Sequence, residues 1–222
     1  MRMGGDRPKQ FLPVGGEPLL FHTLASLRAV PFLSGVVIAA PEKHLEETRR
    51  TAERALSGAL PVTIVPGGAE RQESVANALA ALPQTCGWVM VHDAVRPFGS
   101  PALWEAVHRA ARRHGAAVPG LPAAETVKRV AGAMVLETLP REALVLVQTP
   151  QGFRRDLLFR AYLEAARLGL RATDDASLVE ALGEPVAVVP GERENLKITT
   201  PWDLRLAAWL LGSRTTGGTP CA

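Results

Sequence analysis

The chain has 222 residues, 47% of them apolar and 21% charged, which suits one α/β-sized domain with a large core and excludes a disordered chain. A net charge of +3 and a pI near 9.2, with no basic run interleaved with aromatics, exclude nucleic acid as the expected partner. There is no signal segment or apolar run of about 18 residues, and Cys86 and Cys221 have no metal-ligand spacing, so a reduced, cytoplasmic protein away from the membrane is expected.

The chain opens on a glycine-rich, basic stretch, MRMGGDRPKQF, of a kind that grips phosphate. Such loops leave a β-strand, and no residues precede this one in which a strand could form. A helix follows over EPLLFHTLASLRAV, with Leu19, Leu20, Thr23, Leu24 and Leu27 on its inner face. GVVIAAP (35–41) reads as a buried strand. EKHLEETRRTAERALSG is a charged helix closed by Gly58, and PVTIVPGG is a second strand. RQESVANALAAL is a helix turning Val75, Leu79 and Leu82 inward, and GWVMVHDAVRP is a third strand, polar only at its end. In the helix ALWEAVHRAARRHG, Leu103, Ala106, Val107 and Ala110 face inward. GAAVPGLP is a fourth strand. Continuous apolar runs separated by helices predict a parallel, doubly wound, Rossmann-like sheet with ligands at the carboxyl ends of its strands.

That rhythm breaks over residues 122–149. TVKRV and AMVLET flank Gly132 as a β-hairpin arm, and a strand then returns to the sheet. Two projecting strands need cover, and a second copy of the chain would supply it, so a homodimer is expected. FRRDLLFRAYLEAARLG and TDDASLVEALG are helices, the latter capped by Thr173 or Asp174. PVAVVPG is a strand, and Pro201 opens the last helix.

The candidates for chemistry lie at strand ends. Asp93 closes the third strand in VHDAVRP, with Arg96 three residues on. One carboxylate there can hold Mg²⁺ together with substrate phosphates, or it can simply cap the next turn. His92, just inside the strand, suits a structural role. Gly67 and Gly68 permit close backbone approach to a ligand, and Ser74 follows in the next helix. Lysines are scarce in this arginine-rich chain, and two of them, Lys9 and Lys197, lie at predicted strand ends. No Ser–His–Asp order, H-E-x-x-H or full phosphate-binding loop motif is present. Glycine loops, one carboxylate and dispersed cations suit phosphoryl or nucleotidyl transfer, in which the protein positions groups and neutralises charge.

Seven stretches, RMGGDRPKQF (2–11), PGGAERQESV (66–75), VHDAVRP (91–97), ETVKR (125–129), TPQGF (149–153), TDDASLVE (173–180) and NLKITTPWDL (195–204), occur in the order found in one family. Together they resemble the 2-C-methyl-D-erythritol 4-phosphate cytidylyltransferases of the non-mevalonate isoprenoid pathway. The resemblance implies attack of a small polyol phosphate on the α-phosphorus of CTP, with Mg²⁺ and release of pyrophosphate. It implies that Arg2 and Lys9, with Lys197, serve the reacting phosphates. Gly67, Gly68 and Ser74 would form part of the nucleotide site, and Asp93 would contact the metal. Arg96, Thr173 and Lys197 would lie near the polyol phosphate, with Thr126 and Arg141 reaching a partner's site from the arm. Residues 1–121 and 150–211 would be the nucleotidyltransferase domain, 122–149 the dimerisation arm and 212–222 a disordered tail.

In the family an apolar strand and A-A-G-x-G precede the first match, which here begins at Arg2. The expectation is that this strand is encoded upstream of Met1; the alternative is a truncated chain that is inactive or poorly folded. Losing a central strand would leave two strand edges open inside the fold. Ala69, where relatives often carry an acidic residue, and Pro140 are smaller departures. Two other functions stay open. One is cytidylyl transfer to ribitol 5-phosphate or another polyol phosphate. The other is a non-catalytic nucleotide-binding or dimerisation module.

Overall fold

The computed structural model describes residues 7–215. Arg2 and the stretch 216–222 lie outside the described residues. A short 3₁₀ turn at Lys9–Phe11 leads to a two-stranded ribbon, β1 (Pro13–Val14) with β2 (Glu17–Pro18). Next come α1 (Leu19–Leu27), β3 (Val36–Ala40), α2 (Leu45–Leu56), β4 (Val62–Pro66), α3 (Arg71–Ala80), β5 (Trp88–Val91), α4 (Pro101–His114) and β6 (Ala116–Pro122). The arm is β7 (Val127–Ala131) and β8 (Met134–Leu139). The chain then returns through β9 (Val145–Val147), β10 (Gln151–Arg154), α5 (Arg155–Leu168), α6 (Asp175–Glu180), β11 (Ala187–Pro190) and α7 (Pro201–Thr215).

The expected α/β layering is present, but the sheet is mixed. β3 runs parallel to β4, and β6 parallel to β11. β10 is antiparallel to both β5 and β6, and β9 is antiparallel to β6. The arm explains the reversal. A strand that leaves the sheet through a hairpin and returns without a crossover helix must run against the strand it left. β9 and β10 lie end to end along β6, and their register slips across Gln148–Pro150.

Helices cover both faces, and successive β5 residues serve different layers. Met90 packs with α1, α2 and Trp104, while Val89 packs with Leu79, Phe153 and the inner faces of α5 and α6. All five residues assigned to the inner face of α1 are buried. On α4 the buried stripe is Leu103, Trp104, Val107 and Ala111. Ala106 and Ala110, expected inside, are only half-buried because Trp104 takes the inner position. Helix ends follow the sequence signals. Ser100 accepts from the Leu103 N–H, with Pro101 next, and Gly115 closes α4 at φ 88°. α2 ends one residue early, on Ser57 in the left-handed region, before Gly58. Asp174, not Thr173, caps α6. α7 runs on through 212–215, where the sequence suggested that a disordered tail begins.

The sheet is split. β3 pairs with β4 and β5 pairs with β10, and among the described residues no strand joins β3 to β5.

Candidate active site

Four loops meet at the carboxyl end of β5. Asp93 lies two residues past the end of that strand, and its side chain is only 12% exposed. Lys197 Nζ lies 2.9 Å from Asp93 Oδ2, Arg96 Nε 3.5 Å from the same oxygen, and Arg71 Nε 3.5 Å from Oδ1. Burial alone would push the Asp93 carboxyl up. Lys197, Arg71 and Arg96 together outweigh it and hold the group below the usual carboxylate range. Asp93 is thus an anion at neutral pH within a net cationic cluster, an arrangement suited to polyanionic phosphate.

Each cation is held by its own element. Lys197 is half exposed and sits on a segment fastened to the β5 loop by the Ile198 N–H, which donates to the Val95 carbonyl at 3.0 Å. Beyond it, Thr200 and Asp203 form a reciprocal cap at the start of α7. The Thr200 N–H donates to Asp203 Oδ2 at 2.7 Å, and the Asp203 N–H donates to Thr200 Oγ1 at 3.2 Å. Lys9 Nζ donates to the Thr199 carbonyl at 3.0 Å, which ties the opening loop to the Lys197 segment. Arg96 is buried and donates to the Asn195 carbonyl at 2.7 Å. Burial lowers its pKa, opposed by Asp93.

Arg71, the first residue of α3, is a site residue that sequence reasoning missed. Its Nη2 lies 2.6 Å from Oδ2 of Asp175, a fully buried carboxylate, and the Tyr162 hydroxyl donates to Asp175 Oδ1 at 2.5 Å. Burial would lower the Arg71 pKa, but Asp175 and then Asp93 raise it above its ordinary value. Burial and Asp175 both raise that of Tyr162. A signal was present, because Arg71 lies within the quoted PGGAERQESV stretch, three residues after the Gly-Gly pair.

That turn is closely packed. A Cβ on Gly68 would meet Glu73 Cβ at 2.2 Å, so only glycine fits there. The Gly68 N–H donates to Ser74 Oγ at 3.0 Å, the Ala69 N–H donates to Glu73 Oε2 at 2.7 Å, and the Gly67 N–H donates to the Ala40 carbonyl at 2.8 Å. Ser74 therefore closes the loop that carries Arg71.

His92 has a structural role. Its Nε2 lies 3.0 Å from the Arg96 carbonyl and its Nδ1 2.9 Å from Thr149 Oγ1, which also accepts from the Asp93 N–H at 3.0 Å. A carbonyl only accepts, so Nε2 carries the proton and Nδ1 accepts from the Thr149 hydroxyl. Burial is the main cause that pushes the imidazole down to about 4, so it is neutral.

Asp93, Arg96 and Lys197 thus come together directly, Lys9 joins through Thr199, and Gly67, Gly68 and Ser74 form the adjoining loop. Thr173 is exposed just before the Asp174 cap. Thr126 and Arg141 are not brought in. Both are exposed at the base of the arm, where Arg141 donates to the Ala124 carbonyl at 2.9 Å. For a divalent cation the cluster offers one carboxylate, and among the described residues no group of three or more His, Cys, Asp or Glu could hold a metal. These residues fit Mg²⁺ only where substrate phosphates complete its coordination.

Comparison with known proteins decides the family. The family described as 2-C-methyl-D-erythritol 4-phosphate cytidylyltransferase (IspD) matches residues 1–213. The chain belongs to this family. It is 45% identical over 213 residues to the 2-C-methyl-D-erythritol 4-phosphate cytidylyltransferase of Acidobacterium capsulatum, covering 94% of this chain and 89% of that one. The crystal structure of the Thermus thermophilus cytidylyltransferase is 45% identical and superposes with a TM-score of 0.77, covering 91% of this chain and 93% of that chain. A structure of 4-diphosphocytidyl-2C-methyl-D-erythritol synthase from Anaerococcus prevotii is 29% identical, with a TM-score of 0.83 over 91% of this chain and 93% of the other. The mixed sheet and its layers are therefore those of the IspD nucleotidyltransferase fold.

Proposed function

We propose that this chain transfers CMP from CTP to 2-C-methyl-D-erythritol 4-phosphate, a step in making isoprenoid precursors. The observation that carries the reading is the anionic Asp93 ringed by Lys197, Arg71 and Arg96 at the end of β5, in a chain of the cytidylyltransferase family. An oxygen of the polyol phosphate attacks the α-phosphorus of CTP. One P–O bond forms there, the bond from that phosphorus to the bridging oxygen of the β-phosphate breaks, and pyrophosphate leaves with the electron pair.

The attacking phosphate is already ionised, so no general base is needed, in keeping with a neutral His92 committed to Thr149 and Arg96. The main obstacle is repulsion between anions, which positioned cations reduce. Lys9, with Arg2 of the same opening sequence stretch, neutralises the reacting phosphates. Lys197 and Arg96 orient the polyol phosphate beside Thr173. The Gly67–Ser74 loop receives the nucleotide. Asp93 would hold Mg²⁺, which supplies charge neutralisation on the triphosphate. The arm joins two copies, bringing Thr126 and Arg141 to the partner's site, and the enzyme works in the cytoplasm.

The test is pyrophosphate release from CTP and Mg²⁺ with either 2-C-methyl-D-erythritol 4-phosphate or ribitol 5-phosphate. Release with the first at more than tenfold the rate of the second supports the reading. Equal or reversed rates assign the chain to another polyol phosphate, and no release with either overturns transfer by this chain.

A further inference from the structure

β11 ends at Pro190 and α7 begins at Pro201. Lys197 is carried between them, on a segment whose Gly191 N–H still bonds to the sheet, donating to the Gly120 carbonyl at 2.8 Å. Backbone groups beyond that point need other partners. Gln148, buried between β9 and β10, supplies them. Its Oε1 accepts from the Glu192 N–H at 3.1 Å and from Asn195 Nδ2 at 3.2 Å. Its Nε2 donates to the Glu192 carbonyl at 2.8 Å and to the Asn195 carbonyl at 3.3 Å.

One side-chain amide thus reads both backbone groups of Glu192, as a neighbouring strand would. Its orientation is fixed, because the two carbonyls can only accept and so face the NH₂. The approach is close. A Cβ on residue 191 would meet Gln148 Oε1 at 2.8 Å and the Gly120 carbonyl carbon at 3.0 Å, so Gly191 leaves the room the amide needs. The other side of the loop is held at the start of α4, where the Glu192 carboxylate accepts from the Ser100 N–H at 3.0 Å and from the Ser100 hydroxyl. Arg96 bonds to the same Asn195 carbonyl but also faces Asp93. Among the described residues, the side-chain hydrogen bonds of Gln148 end on Glu192 and Asn195 alone. Gln148 therefore reaches the site only through the loop that carries Lys197.

We propose that Gln148 is a positioning residue for the transfer reaction: by fixing Glu192 and Asn195 it holds the Lys197 ammonium against Asp93, where it receives the polyol phosphate. The role toward that phosphate rests on the reaction proposed above, and the hold on Lys197 does not. The amide is specific to the task. A methionine of similar length makes none of these bonds, and an ionised glutamate only accepts, so its oxygen would face two carbonyls.

Gln148→Met keeps the length and the packing and removes the hydrogen bonds. Trace acetylation of the full chain with acetic anhydride, read lysine by lysine by mass spectrometry, reports the hold without turnover. Once Lys197 leaves its charge-assisted bond to Asp93, it should label about threefold faster or more, with Lys43 and Lys128 unchanged. In turnover, KM for 2-C-methyl-D-erythritol 4-phosphate should rise about tenfold or more while KM for CTP stays within about twofold. In a Lys197→Ala background the same substitution should change KM by less than about twofold, because the two act as one unit. Unchanged labelling of Lys197, equal rises in both KM values, or a full effect without Lys197 would overturn the proposal. Faster labelling of Lys197 beside a parent chain that releases no pyrophosphate would sustain the hold on Lys197 and refute the reaction instead. If Gln148→Met does not fold, Gln148→Asn, one methylene too short to reach both residues, takes its place with the same outcomes.

Discussion

Arg71 and Asp175 form an ion pair at 2.6 Å across 104 residues of sequence, and the Asp175 side chain has no solvent exposure. A carboxylate this deeply placed needs its partners. It has two, Arg71 and Tyr162, and Arg71 in turn faces Asp93. The pair joins the Gly-Gly loop, α6 and the end of β5.

Removing Asp175 leaves Arg71 without its main anion, though its partial exposure gives it access to water. Asp175→Ala is expected to lower the unfolding free energy by about 3 kcal/mol, and Tyr162→Phe by about 1 kcal/mol. The double variant should lose less than the sum, because both act on one carboxylate. Urea denaturation of the three variants measures this, and strict additivity would show that the network is not a unit.

Lys9 is a different case. Its hydrogen bond to the Thr199 carbonyl is a single partly buried contact, so Lys9→Ala should shift stability by no more than about 1 kcal/mol. Turnover with CTP should nevertheless fall by about 100-fold or more, the usual size for losing a positioned charge at a reacting phosphate. Steady-state rates beside a denaturation curve separate the two effects. An unchanged rate would remove Lys9 from the reacting centre.

The pH dependence of stability follows from His92. Burial depresses its folded pKa to about 4, against about 6.5 for an unfolded histidine. The neutral form is the one the fold accepts, so this contribution is complete above about pH 6.5 and is lost as pH falls towards 4, roughly 3 kcal/mol in all. His108, also lowered by burial, acts in the same direction. Denaturation curves between pH 7 and 4 should show the decline, and His92→Gln should flatten most of it. A decline of equal slope in that variant would assign the effect elsewhere.

The arm predicts association. Met134, Leu136, Val145 and Leu146 are exposed by 72%, 60%, 42% and 61%, a run of apolar surface on β8 and β9 beyond what an isolated arm needs. Sedimentation velocity should find a dimer, and Leu136→Glu with Leu146→Glu should give a folded monomer with reduced turnover. A parent chain that stays monomeric at high concentration would refute the role of the arm.

Most of the elements were legible because apolar period and capping residues act locally. The inner face of α1, the Ser100–Pro101 start of α4 and the hairpin at Gly132 can each be read from a few neighbours. Strand direction could not be read so, since an apolar run looks the same in either sense. The reversal of β10 follows from where the arm returns. At the site, Asp93 was legible as a charge past a strand end, whereas Lys9 and Lys197 were legible only as scarce lysines: Lys9 lies in the 3₁₀ turn before β1 and Lys197 in the segment well past β11. Arg71 was not, because its importance lies in Asp175, and nothing local couples α3 to α6. Ser74 was read as part of the nucleotide site; not legible was that its hydroxyl also accepts from the Gly68 N–H, a contact set by the tightness of the turn.

The register slip between β9 and β10 takes Thr149 out of the ladder. Its hydroxyl then holds the Asp93 amide and the His92 ring, while its carbonyl accepts from Asn195 Nδ2 at 2.9 Å. Asn195 leads to Lys197, and Gln148 next door donates to the Glu192 carbonyl at 2.8 Å. One interrupted strand thus works as a fastener between the loop that carries the carboxylate and the loop that carries the lysine. A force applied to either is shared by both, so the two charges keep their spacing when phosphate pulls on one of them.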